Sequence, residues 1–190
     1  MKRSNNTNQS INIKDMTLVS MFSALTMVGA FVKIPIPLCP FTLQFLFTTL
    51  AGTLLGKNRG AMAVIIYILL GLMGIPVFSN GGGISYIFQP TFGYLIGFIF
   101  GTYITGWIIH SSTLNNFIIL IGCFSGLIIV YFCGMIYCYF MRKLWLDDPI
   151  SITSLFLYCF VLAVPGDVVL CIVSTIITKR VLPIIKDKGI

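Results

Sequence analysis

From residue 18 to residue 177 the chain is a succession of apolar runs, each close to a bilayer's width as a helix, broken only by prolines, glycines and small clusters of charge. A hydrocarbon core about 30 Å thick takes about 20 apolar residues as a helix, and somewhat fewer where neighbouring helices provide shelter. Only 9% of the residues are charged against 57% hydrophobic, with a mean hydropathy of +1.00, far from the composition of a soluble domain. The chain is therefore read as an all-α integral membrane protein, a six-transmembrane-helix bundle. Five spans fall at 18–32, 41–55, 61–75, 90–109 and 117–141. The stretch 149–178 would be about 45 Å long as one helix, too long for a single crossing. Its "VPGD" resolves the excess, because Pro165 suits the first turn of a new helix, where its missing N–H costs nothing. Residues 151–164 then form an outer segment, and Asp167 sits in the first turn of the final descent.

Residues 1–17 are polar and lack the apolar core and small-residue cleavage site of a secretory signal, so the first apolar run is expected to be retained. They are assigned as a cytoplasmic N-terminal segment, 18–182 as a single transmembrane domain, and 183–190 as a cytoplasmic tail. The basic residues orient it. With both termini cytoplasmic, Lys2, Arg3, Lys14, Lys57, Arg59, Lys179, Arg180, Lys186 and Lys188 lie inside, leaving only Lys33, Arg142 and Lys143 of the 12 Lys and Arg residues outside. The loops 33–40, 76–89 and 142–165 then face out, so the glycine-rich loop and Asp167 share one side. The net charge of +7 flanks the apolar runs and forms no aromatic-interleaved patch, which argues against nucleic acid.

Cys39, Cys123, Cys133, Cys138, Cys159 and Cys171 lie mostly within apolar segments, with no CxxC pair and no histidine at ligand spacing, and read as small packing residues. No metal site or cofactor is expected. Small residues recur every fourth position at Gly52, Gly56 and Gly60, at Gly93, Gly97, Gly101 and Thr105, and at Gly122 and Gly126. Such faces let helix backbones approach closely in lipid. They are read as internal packing, while Ser20 and Ala24 on the first span stay open as a partner-docking face.

Enzymatic chemistry has little to work with. There is no glutamate, the one histidine is His110, and the acids are Asp15, Asp147, Asp148, Asp167 and Asp187. "GTLLGKN" (52–58) is one residue short of a phosphate-binding loop and has no Ser or Thr after Lys57. "GCFSG" (122–126) has the wrong spacing for a serine hydrolase, and Ser125 reads as a packing residue. Asp167 is different, since an ionisable group within membrane spans is costly and by default marks function. It also caps a helix start, where the dipole favours negative charge. The stretch "GIPVFSNGGGISYIFQPTFGY" (74–94) adds a loop of three consecutive glycines with Phe78, Tyr86 and Tyr94 as flat walls and Asn80 and Gln89 as polar groups. A lid over an outer cavity is favoured there over a plain surface loop.

These residues resemble the BioY family, the biotin-specific S components of energy-coupling-factor (ECF) vitamin transporters. "PFTLQ" (40–44), "RGAMAVIIYILLGLMGIPVF" (59–78), the glycine-rich loop, "PTFGYLIGF" (90–98) and "PGD" (165–167) follow the family's motifs in order and spacing. The resemblance implies biotin uptake in the cell membrane of bacterial type by a multi-pass subunit. It implies a transmembrane coupling subunit and two cytoplasmic ABC-type ATPases as partners. It leaves open homo-oligomerisation, an S component for another small vitamin, and, in a different class, a membrane-embedded hydrolase. Against biotin's ureido ring, Asp167 is expected to accept N–H, and Asn80 to donate to the carbonyl or accept the other N–H. Thr42 and Gln44 frame the pocket, Phe78, Tyr86 and Tyr94 pack on rings and tail, and Gln89 adds a polar edge. Members often carry Lys three residues after the PGD aspartate, where this chain has Leu170. Lys33 and the backbone N–H groups of Gly81 to Gly83 are the remaining candidates for the carboxylate.

Overall fold

The computed structural model describes residues 13–36, 40–112, 115–148 and 150–187, with residues 186 and 187 described by backbone alone. Cys39, Lys2, Arg3 and Lys188 lie outside the described residues, as does most of the expected N-terminal segment. The order is α1 (Ile13–Phe31), β1 (Lys33–Ile34), β2 (Phe41–Thr42), α2 (Gln44–Leu55), α3 (Lys57–Leu72), a 3₁₀ turn (Ile84–Phe88), α4 (Phe92–His110), α5 (Asn116–Leu144), α6 (Ile152–Phe156), a π turn (Leu157–Val161) and α7 (Val164–Asp187). Among the described residues, four stretches are long and apolar enough to cross a membrane: α1, α4, α5 and Ile152–Ile185, which takes in α6 and α7. The 12 residues of α2 and 16 of α3 are shorter. Nearly all of α2 is buried among the other helices, which removes any need for it to match the bilayer unaided.

Helix ends follow the local chemistry. α1 is already helical at Ile13, ahead of the apolar boundary at 18, and its Asp15 pairs with Arg59 of α3 at 2.9 Å. A single residue, Gly56, joins α2 to α3, with a φ of 83° that an L side chain rarely adopts. The expected break near Pro165 is present. α6 and the π turn precede α7, whose first turn holds Pro165 and Asp167. α7 continues through Pro183 to Asp187, beyond the end expected at 182. Between α1 and α2, β1 and β2 form a small antiparallel hairpin that sets Lys33 opposite Thr42 and Ile34 opposite Phe41.

The most extensive helix contact is between α4 and α5, and the glycine spacing explains it. A Cβ on Gly97 would stand 2.8 Å from the Val130 Cα, and one on Gly101 would stand 2.9 Å from the Gly126 carbonyl. Between these backbones there is no room for even a methyl group. Thr105 Oγ1 adds a hydrogen bond to the Gly122 carbonyl at 3.0 Å. At the opposite end from the hairpin, Thr178 of α7 donates to Thr53 Oγ1 at 2.8 Å, and His110 Nε2 lies 2.9 Å from the Thr53 carbonyl, tying α2, α4 and α7.

The loop between α3 and α4 is fastened to its neighbours. Phe78 and Gly81 exchange backbone hydrogen bonds at 2.9 and 3.2 Å across a tight turn, and Gly83 N–H donates to the Gly71 carbonyl at 2.7 Å. Phe88 stacks on Trp145 just past the end of α5, with ring centroids 4.5 Å apart, and the Tyr137 hydroxyl donates to the Ile87 carbonyl.

Gly97→Val is expected to force α4 off α5 and to lower stability by about 1–3 kcal/mol. A melting temperature in detergent equal to the parent's would contradict this packing.

Candidate functional site

Where α2, α4, α5 and α7 converge beneath the hairpin and the glycine-rich loop, they enclose a narrow cavity of about 50 Å³. One wall is apolar and aromatic, from Phe41, Phe45, Leu95, Phe98 and Val130. The polar groups are Thr42, Gln44, Ser79, Tyr86, Thr91, Tyr131 and Asp167, with Tyr94 among the rings. An apolar enclosure with a few convergent polar groups is the usual form of a small-molecule site. At this volume a drug-sized ligand has to part the walls.

Asp167 is held from two directions. The start of α7 fixes its backbone, whose N–H donates to the Ala163 carbonyl at 3.3 Å, and the Tyr131 hydroxyl of α5 donates to Oδ2 at 2.5 Å. The side chain is 8% exposed. Tyr131 is itself packed edge-on against Tyr94 and Phe160, at centroid distances of 6.0 and 5.4 Å. With one oxygen tied to Tyr131, Oδ1 and the remaining lone pair of Oδ2 can accept N–H groups from a ligand. Beside it, Phe41 from the hairpin rests on Gly166, where a Cβ would stand 2.6 Å from the ring.

Gln44, the first residue of α2, is oriented just as firmly. Its Nε2 donates to the Tyr67 hydroxyl at 2.5 Å, and Tyr67 in turn donates to the Val77 carbonyl at 3.3 Å. The Thr42 hydroxyl donates to Gln44 Oε1 at 3.1 Å. The amide cannot flip without breaking both contacts, so it presents one fixed face. On the other side, the Tyr86 hydroxyl lies 3.3 Å from both Ser79 Oγ and Thr91 Oγ1, a short chain of hydroxyls along the loop.

Of the residues singled out from the sequence, the cavity brings together Asp167, Gln44, Thr42, Tyr86 and Tyr94. Phe78 stands behind it, 1% exposed, packed on Tyr86 and Tyr67 and filling the space above Gly71. Asn80 is exposed at the tip of the Phe78 to Gly81 turn, and Gln89 follows the 3₁₀ turn outside the cavity wall. Lys33 is exposed at the rim, where its Nζ donates to the Ser79 carbonyl at 2.6 Å. The N–H groups of Gly81 and Gly83 are engaged by Phe78 and Gly71. Tyr131, Ser79 and Thr91 were not singled out from sequence. Tyr131 is one of three tyrosines on α5, with Tyr137 and Tyr139, and only packing distinguishes it. Ser79 and Thr91 are small hydroxyls of a kind found on most of the spans.

Comparison with known proteins gives a consistent result. The family model described as the BioY family matches residues 2–187. The probable biotin transporter BioY of Lysinibacillus sphaericus is 43% identical over 175 residues, covering 90% of this chain and 88% of that protein. The biotin transporter BioY of Thermotoga maritima is 40% identical over 124 residues, 65% of this chain and 73% of that one. Among solved structures, the crystal structure of the S-component for biotin from an ECF-type ABC transporter superposes with a TM-score of 0.76 at 30% identity, covering 94% of each chain. From its ordered motifs, its helical fold and these matches across nearly its whole length, the chain belongs to the BioY family.

Proposed function

We propose that this chain is the membrane-embedded subunit that captures biotin from the outer side and delivers it inward, without catalysing a reaction on it. The observation that carries the reading is the buried Asp167, fixed by Tyr131 at an aromatic cavity, in a chain whose relatives are named as biotin transporters. Biotin's ureido ring offers two N–H donors and one carbonyl acceptor. A carboxylate with free lone pairs matches the donors, and the free N–H of Gln44 Nε2 can serve the carbonyl. Tyr86, Tyr94, Phe98 and Phe41 suit the thioether ring and the aliphatic tail.

Six crossings, both termini cytoplasmic, fit the charge distribution, with α2 and α3 as the two short spans turning at Gly56. The chain sits in a bacterial-type cell membrane and needs no cofactor. Its energy comes from two cytoplasmic ATPases through a transmembrane coupling subunit, as the likeness to an S-component of an ECF-type transporter supports.

Calorimetric titration of biotin into the purified, detergent-solubilised chain tests the core of this reading, and a flat thermogram would refute it. Asp167→Asn is expected to weaken biotin roughly 10- to 100-fold, the size of a charge-assisted hydrogen bond. Tyr131→Phe leaves the acid in place but loosened, and is expected to weaken biotin by about fivefold. A Tyr131→Phe protein that binds as tightly as the parent would remove Tyr131 from the site's architecture. For the orientation, a maleimide that cannot cross membranes should label a cysteine introduced at Asn80 in intact cells, and labelling of one introduced at Asn58 instead would invert the topology.

A further inference from the structure

We infer that the cavity takes carboxyl-capped derivatives of biotin, the simple amide and biotinyl-lysine, nearly as well as the free acid; this rests on the biotin reading above. Biotin brings a carboxylate with it. Among the described residues, however, no Lys, Arg or His lines the cavity, and its one ionisable acid, Asp167, has the same sign as the ligand's tail. Enclosing a carboxylate without a cation is penalised far more than enclosing a neutral amide of the same shape, and a second carboxylate nearby adds repulsion. The other polar groups there are hydroxyls and one amide, which can donate to the C=O of an amide as readily as to an acid.

The glycine turn does not supply the missing charge either. Its Gly81 and Gly83 N–H groups already donate to the Phe78 and Gly71 carbonyls, so they form no open nest for an anion. The cation that the fold brings to the cavity's edge is Lys33. It stands opposite Thr42 in the hairpin and donates to the carbonyl of Ser79, and both of those residues line the cavity, yet Lys33 itself is exposed.

With the ureido head placed at Asp167 and Tyr131, a tail laid along the lining to Ser79 would end under Lys33, whose Nζ holds the Ser79 carbonyl. An ion pair in that position is solvated, and such pairs are worth a factor of about five or less. A buried cation dedicated to the carboxylate would instead separate acid from amide by roughly a hundredfold. The carboxyl end is thus read weakly, and it points to water, where a substituent has room.

The test is calorimetry on the full-length detergent-solubilised chain with biotin, biotin amide and biotinyl-lysine. All three are expected to bind with dissociation constants within about fivefold of one another. Any residual preference for the acid should disappear in Lys33→Ala. A larger gap, failure of biotinyl-lysine to bind, or a preference that survives Lys33→Ala overturns the inference while leaving the biotin reading intact. If biotin itself gives no heat, the biotin reading falls and this one with it.

Discussion

Backbone contact between α4 and α5 sets the positions of the groups that matter. In a bilayer, apolar side chains gain nothing by leaving lipid for protein, so helices associate where they can come very close or where polar groups find partners. Gly97 and Gly101 meet Val130 and Gly126 at distances that exclude a methyl group, and a Cβ on Gly134 would collide with the Tyr94 ring at 2.4 Å. That seam sets Tyr94 and Phe98 on α4 beside Val130 and Tyr131 on α5. Because the two helices cannot slide without collision, Tyr131 keeps its edge-on contact with Tyr94, and its hydroxyl is left to reach Asp167 of α7.

The polar side of the site follows from the same environment. A carboxylate and an amide placed among apolar helices are tolerated when each has a defined partner, and here each has one: Tyr131 for Asp167, Tyr67 and Thr42 for Gln44. The partners orient those groups and leave unused hydrogen-bonding capacity facing the cavity. The loop between α3 and α4, by contrast, is held by a few backbone hydrogen bonds and ring contacts.

Much of this was legible in the amino-acid sequence because hydropathy and glycine spacing act locally. The apolar runs, the restart at Pro165 and the glycine seam are each written in neighbouring residues. Asp167 stood out as the one acid inside the apolar runs, and Thr42, Gln44, Tyr86 and Tyr94 through motifs in a fixed order. What stayed hidden depends on three-dimensional closeness. Tyr131 looks no different from Tyr137 or Tyr139 until α7 is packed against α5, and Ser79 and Thr91 acquire meaning only through Tyr86. In the loop, a two-residue turn decides which side chains face in: it sends Phe78 inward behind the wall and leaves Asn80 at the tip. Turn geometry of that kind is not specified by composition.

The stack of Phe88 on Trp145 has a practical consequence. The chain holds two tryptophans, and the other, Trp107, lies near the opposite end of α4, 50% exposed. Trp145 therefore serves as a native optical probe at the contact between the α3–α4 loop and the end of α5. Its emission colour and intensity depend on whether Phe88 lies against it, so any displacement of the 3₁₀ turn from the end of α5 can be followed by light, in real time and without a dye.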